Sequence, residues 1–338
     1  MLYVVFPRGA ASAPALTGTD ATMQTLVTDR PDEAASWLNR GETVAFPTET
    51  VYGLGADAFD AEAVAGIFKA KGRPSDNPLI VHVATPERIG EVAKEISGTA
   101  RMLVERFFPG PLTLVLKKRK SVPVIVSAGL STIGVRCPSH PAASEFLRYC
   151  KHPVAAPSAN LSGRPSPTDW KTVYHDLGGR IACLLRGEQS TIGLESTIVD
   201  CTVNPPRLLR TGAVSIESLR ELLPDLEIAT ACKPGEAPKS PGQKYRHYSP
   251  EAEIVLVETS PQSLPTDLQA AWIGLAAPPT GAAKSLRCRD MDEYARVLFG
   301  FFRTCDAEGI VRIYCELPPE EGIGRAIRDR LVKAAGRG

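Results

Sequence analysis

Cysteine pairs of the zinc-binding type are absent from this chain. Eight cysteines occur among 338 residues, and none belongs to a Cys-x-x-Cys pair. Structural zinc sites usually take such pairs, so the spacing argues against one. Scattered cysteines within apolar segments instead indicate small buried side chains in a reducing compartment, and we expect a cytoplasmic protein.

Long apolar segments and a strong net charge are also missing. No run of about 18 apolar residues occurs, so the sequence predicts no membrane-spanning helix. The first apolar run is short and follows no basic segment, so we interpret residues 1–23 as an N-terminal extension rather than a signal peptide. The formal net charge is +1. No field of the whole molecule would attract nucleic acid or a membrane surface, and any basic site must be local.

Three common catalytic motifs do not occur either. The chain has no Gly-x-x-x-x-Gly-Lys-Ser/Thr loop, no Gly-x-Ser-x-Gly elbow and no His-Glu-x-x-His segment. Five histidines are few for hydrolytic chemistry. If this protein binds phosphate, separate basic residues and backbone donors at strand ends must hold it.

Predicted strands and helices alternate along most of the chain, which indicates an α/β protein of two domains. A proline- and glycine-rich segment separates the two alternating regions. The second region contains three predicted strands and lacks a Gly-x-Gly-x-x-Gly loop, so we expect a small Rossmann-like parallel sheet without a dinucleotide site. The predicted order is an extension at 1–23, a twisted mixed-sheet catalytic domain at 24–230, a linker at 231–250 and the Rossmann-like domain at 251–338.

A basic cluster, Lys69–Arg73, stands where a predicted helix ends. The helix end would be stabilised by these cations, and a solvated charged face is the ordinary interpretation. Two polar loops that follow predicted strands, and a third that leads into one, favour a second interpretation, in which cluster and loops form one anion-binding pocket. These loops occupy 47–55, 157–163 and 193–197.

Two side chains within predicted strands allow two interpretations each. Arg136 lies in a strand that reads as buried, so it needs an anionic partner, either a protein carboxylate or a ligand. His82 lies in an apolar strand, where a histidine hydrogen-bonded within the core is as reasonable as a binding residue.

Five motifs in fixed order resemble the YrdC-like threonylcarbamoyl-adenylate synthases. They are Phe46–Gly55, Lys69–Pro74, Phe108–Thr113, Ala156–Gly163 and Gly193–Thr197. Ser240–Pro250 is similar to the linker of the long, two-domain form, so the resemblance covers about residues 24–335. It implies a nucleotidyltransferase that combines L-threonine, bicarbonate and ATP, releases pyrophosphate and yields threonylcarbamoyl-adenylate.

The resemblance also implies roles for individual residues. Threonine would be bound by Thr50, His82, Arg136, Ala156 and Ser196. Catalytic positive charge would come from Lys69, Lys71 and Arg73. ATP would be held by Arg73, Asn77, Thr132, Ser158, Ser166, Arg210 and, from the linker that covers the site, Tyr245 and Tyr248.

Further expectations concern Mg²⁺ and partners. Mg²⁺ would accompany ATP and share in neutralising the triphosphate, with no metal site built by the protein alone. The product would pass to a tRNA threonylcarbamoyltransferase complex that modifies adenosine 37 of tRNAs reading codons that begin with A. A weak contact with tRNA is possible, and none with a membrane is expected.

One segment departs from the family pattern, and the sequence also leaves other functions open. Arg186–Ser190 replaces the usual Asp-Gly-Gly run, which leaves its loop geometry and any metal contact open. A carbamoyltransferase-type activity ranks second, since the expected zinc-finger pairs are missing. The sequence is also compatible with an RNA-binding module without chemistry, and with an amino-acid sensor in the second domain.

Overall fold

The computed structural model describes residues 24–229, 248–265 and 269–336. The predicted extension 1–23 and linker residues 231–247 lie outside the described residues. Helices occupy α1 Pro31–Leu38, α2 Ala61–Lys71, α3 Gly98–Phe107, α4 Val124–Ser127, α5 Pro141–Tyr149, α6 Trp170–Leu177, α7 Ile216–Leu222, α8 Met291–Ala307 and α9 Gly324–Ala334, with a 3₁₀ turn at Pro86–Glu91. None of these helices is long and apolar enough to span a membrane.

The strands form two separate sheets. They are β1 Leu26–Thr28, β2 Val44–Phe46, β3 Gly53–Asp57, β4 Ile80–His82, β5 Leu112–Lys117, β6 Thr132–Arg136, β7 Val154–Ala156, β8 Cys183–Leu185, β9 Thr197–Asp200, β10 Arg207–Arg210, β11 Glu227–Ile228, β12 Glu253–Val257, β13 Ala270–Gly274, β14 Lys284–Arg287 and β15 Arg312–Glu316. The first sheet is mixed and runs β1-β8-β2-β3-β7-β4-β6-β5-β9-β10-β11. The second is parallel and runs β12-β15-β13-β14. The predicted fold class, a mixed sheet followed by a small parallel sheet, is confirmed.

The basic cluster spans the C-terminal end of α2, and local signals fix where that helix begins and ends. The Asp60 side chain accepts hydrogen bonds from the backbone of Glu62 and Ala63 at the N-terminus. Gly72 ends the helix with φ 60°, a left-handed conformation that glycine adopts without strain. The two cations on either side of Gly72 therefore leave the helix in different directions.

Several strands were not predicted from the sequence, and for β3 and β14 the reason can be identified. Strand β3 begins Gly-Leu-Gly, a composition that weakens a strand signal. Glycine is required there, since a Cβ on Gly55 would lie 2.6 Å from Val154 Cγ1. Strand β14 is a partly exposed edge strand of sequence Lys-Ser-Leu-Arg, which has little apolar content to reveal it.

The second domain packs directly on loops of the first. Its hydrophobic core includes Val51 and Leu194, which belong to two of the polar loops identified in the sequence. A Cβ on Gly193 would lie 2.5 Å from the Cα of Arg296 in α8, so the backbones of loop and helix are in contact. The two domains thus share one core at the edge of these loops.

Arginine side chains also join the domains. Arg303 of α8 pairs with Asp176 of α6 at 2.7 Å, and the carboxylate is fully buried. The Arg303 guanidinium donates to the carbonyl of Pro165 as well. Arg325 of α9 meets Glu217 at 3.5 Å, but both side chains are largely accessible to water.

We predict that Arg303→Met lowers the free energy of unfolding by about 3 kcal/mol, because it leaves the Asp176 carboxylate buried without its main counterion. Arg325→Met, the matched interdomain control, should cost less than about 1 kcal/mol, since exposed ion pairs contribute little. Urea unfolding followed by circular dichroism measures both changes. Equal losses in the two variants would contradict the assignment.

Candidate active site

A cleft opens over the mixed sheet beside the polar loops and Tyr248. It brings together residues that lie far apart in the chain. Among the residues predicted for the site, those that line the cleft are Thr50, Arg73, His82, Arg136, Ala156, Ser158, Ser196, Arg210 and Tyr248.

Arg136 is buried at the end of β6 and is held on every side. Its Nη1 donates to Thr50 Oγ1 at 2.7 Å, and its Nη2 lies 2.7 Å from Glu49 Oε1. The hydroxyls of Thr48 and Thr50 are 2.9 Å apart. The sequence left a protein carboxylate and a ligand as alternative partners for Arg136, and Glu49 supplies the carboxylate. Fixed in this way, the guanidinium orients Thr50 Oγ1 within the cleft.

His82 lies beside Arg136 because β4 and β6 are parallel and these two residues are in register. Its Nδ1 is 3.2 Å from the carbonyl of Ile80, and the ring packs edge-on against Phe46 at 5.6 Å. Burial, helped by the positive charge of Arg136, lowers the pKa of His82 to about 3. The ring is therefore neutral at neutral pH and can take part in hydrogen bonds without bringing a charge.

Ser196 and Arg210 form one wall of the cleft. Arg210 Nε donates to the Ser196 carbonyl at 2.9 Å, and its Nη2 lies 3.1 Å from Ser196 Oγ. Ser196 Oγ also shares a hydrogen bond of 2.7 Å with Thr113 Oγ1. Ser196 directly precedes β9 and Arg210 ends β10, so the antiparallel pairing of these strands brings the two side chains together.

Glu195 is a buried carboxylate at the same wall. Its Oε1 accepts from Ser166 Oγ at 2.6 Å, and its Oε2 accepts from Arg330 Nε at 2.8 Å. Burial disfavours the charged form, but Arg330, Arg210 and the Ser166 hydroxyl outweigh it and hold the pKa of Glu195 below its usual range. Glu195 is thus ionised at neutral pH.

The basic cluster separates into three environments. Lys69 is exposed on α2 and does not line the cleft. Lys71 is buried, and its ammonium donates to the carbonyls of Ser158 and Asn160 at 2.5 Å each. Burial, with a contribution from Arg73, lowers the pKa of Lys71 well below its usual range. Of the three cations, Arg73 alone lines the cleft.

Asn77, Thr132 and Ser166 were also predicted for the site, but they are not among the residues that line the cleft. Arg73 Nη2 donates to the Asn77 carbonyl at 3.1 Å, and the Asn77 side-chain amide is buried without a hydrogen-bond partner among the described residues. Thr132 is partly exposed at the start of β6, four residues from Arg136. Ser166 is buried against Glu195. Tyr245 lies outside the described residues.

Glu49, Thr113 and Glu195 contact site residues but were missed in the sequence. All three lie within the motifs that carry the resemblance. The sequence did indicate that the buried Arg136 needs an anionic partner. No local pattern shows that Glu49 is the carboxylate that reaches it.

Most of the segment that departs from the family pattern is exposed, but Ser190 at its end is buried. Arg186 Nη2 pairs with Asp29 at 2.8 Å, and both side chains are about half exposed or more. The Tyr52 hydroxyl, on the cleft side, is 3.1 Å from both the nitrogen and the carbonyl oxygen of Gly187. Arg186, the residue that differs from the family pattern, therefore makes an ion pair at the surface. The backbone of Gly187, which follows it, holds the Tyr52 hydroxyl in place.

Acidic groups suited to a metal are scarce in this cleft. Within residues 24–229, 248–265 and 269–336, no group of three His, Cys, Asp or Glu side chains is arranged to hold a metal ion. Glu49 and Glu195 are both engaged by arginines. Bound Mg²⁺ usually takes one or two carboxylates and substrate phosphates, so here the phosphates would have to supply most of its ligands.

Three arginines, several hydroxyls and a neutral histidine line one cleft beside an α/β sheet, an arrangement suited to an enzyme that binds anionic small molecules. The Sua5/YciO/YrdC family model, described as "Telomere recombination", matches residues 36–212. The model described as "Threonylcarbamoyl-AMP synthase, C-terminal domain" matches residues 214–336. The chain belongs to the Sua5/YrdC family in its two-domain form.

Individual relatives are similar in sequence to this chain over nearly its whole length. A threonylcarbamoyl-AMP synthase of Pyrococcus abyssi is 42% identical, over 90% of this chain and 93% of its own length. A Bacillus subtilis protein of the same name is 40% identical, over 90% and 92%. The crystal structure of P. abyssi Sua5 complexed with L-threonine is similar, with a TM-score of 0.85 and 40% identity, and the match covers 93% of this chain and 98% of that one.

The environment of His82 predicts a pH-dependent stability. The unfolded chain binds a proton at His82 below a pKa of 6.5, whereas the folded protein does so only near 3. Stability therefore falls as the pH decreases through this interval. When the pH is lowered from 7 to 5, the free energy of unfolding should decrease in both proteins. We expect the decrease to be about 2 kcal/mol smaller in His82→Gln than in the unsubstituted protein, because the variant has no histidine to protonate there. Urea unfolding at both pH values measures the difference, and parallel losses would refute the assignment.

Proposed function

We propose that this chain makes threonylcarbamoyl-adenylate from L-threonine, bicarbonate and ATP. The threonine nitrogen bonds to the bicarbonate carbon with loss of water and a proton, which gives a carbamate. A carbamate oxygen then attacks the α-phosphorus of ATP, and pyrophosphate leaves. The observation that carries the proposal is the meeting of Thr50, Arg136, Ser196, Arg210 and Arg73 in one cleft of a chain that belongs to this family.

Threonine is assigned to five residues of the cleft: Thr50, His82, Arg136, Ala156 and Ser196. The support is that all five line the same cleft and that the hydroxyls of Thr50 and Ser196 are each oriented by an arginine. His82, with a pKa near 3, is too weak a base to remove a proton from an amine. Its proposed part is to shape the pocket and hydrogen-bond as a neutral ring.

ATP is assigned to the part of the cleft near Arg73, Ser158, Arg210 and Tyr248. Charge accumulates on the phosphates as pyrophosphate leaves, and fixed guanidinium groups stabilise that charge. Lys71 takes an indirect part in this proposal, because its ammonium holds the carbonyls of the Ser158 loop in place. Positioning of three substrates accounts for most of the catalysis.

Mg²⁺ enters this proposal together with ATP, bound chiefly to the triphosphate, where it would neutralise phosphate charge. The product would pass to a tRNA threonylcarbamoyltransferase complex that modifies adenosine 37, and we place the protein in the cytoplasm. A weak contact with tRNA belongs to the same proposal. The family membership supports these assignments.

The direct test is pyrophosphate release by the purified full chain. Release should require threonine and bicarbonate together with ATP, and omission of either one should reduce it to background. Release that continues without threonine or without bicarbonate would refute the proposed reaction.

Arg73→Ala should reduce kcat/KM for pyrophosphate release at least about 100-fold, because a fixed charge beside the phosphates is lost. Arg180→Ala removes the same charge from an exposed position outside the cleft and should stay within threefold of the unsubstituted enzyme. Steady-state kinetics on both variants provide the comparison. Similar losses in the two would show that only the overall charge matters.

A further inference from the structure

Arg330 of α9 is a fully buried arginine that sequence reasoning did not identify as part of the site. It belongs to the second domain, and its side chain is 0% exposed. Nε donates to Glu195 Oε2 at 2.8 Å, Nη1 to Asp329 Oδ2 at 2.6 Å and Nη2 to the Thr211 carbonyl at 3.0 Å. Each nitrogen of one guanidinium is therefore committed to a different acceptor.

Two of these acceptors adjoin residues that line the cleft. Glu195 directly precedes Ser196, and Thr211 directly follows Arg210. Ser196 and Arg210 are hydrogen-bonded to each other across the β9-β10 pair. One guanidinium from the second domain thus binds both segments that carry this wall, from the side away from the cleft.

Arg330 also adjoins the aromatic residue at the cleft mouth. Its Cζ lies 5.4 Å from the centre of the Tyr248 ring, and that ring stacks on Phe299 at 5.3 Å. Tyr248 has φ 64°, an uncommon conformation for a residue with a side chain. The cation and the phenyl ring of the second domain together fix the orientation of Tyr248.

Stability alone does not account for such a group. Burying an ion pair costs desolvation, and an apolar replacement of similar volume is often as stable. What a guanidinium provides beyond stability is a rigid planar set of donors that fixes several acceptors at once. Here those acceptors fix Ser196 and Arg210.

We propose that Arg330 is a positioning residue for the reaction, supplied to the catalytic cleft by the second domain. It acts through Glu195, Thr211 and Tyr248 and does not touch the substrates. The inference rests on the proposed function, since its effect is read in the kinetics of pyrophosphate release. Arg303 is the control, because it also joins the domains from a largely buried position, with its side chain 15% exposed, but contacts Asp176 and Pro165, neither of which lines the cleft.

The experiment compares Arg330→Lys, Arg330→Ala and Arg303→Met as full-length proteins, at a temperature where circular dichroism shows each to be folded. A loss of folded enzyme lowers kcat and leaves KM unchanged, whereas a displaced cleft wall raises KM. We expect both Arg330 variants to raise the KM for threonine at least tenfold and Arg303→Met to stay within twofold. Arg330→Lys keeps the charge and carries the test if Arg330→Ala does not fold.

Chemical rescue separates positioning from general damage. Methylguanidinium chloride should lower the KM of Arg330→Ala at least fivefold, while sodium chloride at the same ionic strength should not, and neither salt should improve Arg303→Met. An unchanged KM in the folded Arg330→Lys protein would overturn the inference. Absence of threonine- and bicarbonate-dependent pyrophosphate release in the unsubstituted enzyme would instead overturn the proposed function.

Discussion

The rest of the cleft depends on the partners of one buried carboxylate, Glu195. An ionised carboxylate out of contact with water is stable only where hydrogen bonds and opposite charges replace the lost hydration. Those partners are the Ser166 hydroxyl and the guanidinium of Arg330, from α9 of the second domain. Since Glu195 adjoins Ser196, satisfying its charge also places a wall of the cleft. The contacts that stabilise the charge of Glu195 are thus the same contacts that position Ser196 in the cleft.

Signals that lie close together in the chain allowed correct predictions. The alternation of strands and helices indicated a mixed sheet followed by a small parallel sheet, and glycine at the end of α2 marked the helix boundary. Arg136 stood out because a cation in an apolar strand needs an anionic partner. Residues of the three polar loops lie together at one cleft, and their part in binding stays a prediction.

Contacts between distant segments could not be predicted in this way. Glu195 and Arg330 are 135 positions apart, and no local pattern specifies that they pair. Lys71 and Arg73 look equivalent in sequence, yet the left-handed turn at Gly72 sends Lys71 into the protein and Arg73 to the cleft. Which cation lines the cleft depends on a backbone angle and on which carbonyls lie within reach.

The second domain has an active-site role that its own sheet does not reveal. Val51 and Leu194, from the cleft loops, complete its hydrophobic core, while Arg330 supplies the counterion that Glu195 requires. Without that domain, two apolar side chains would face water and a carboxylate would lose its main partner, both of which are unfavourable. The cleft loops would then relax toward conformations that hydrate Glu195, and these displace Ser196. The two domains therefore form one active site, although each has a sheet of its own.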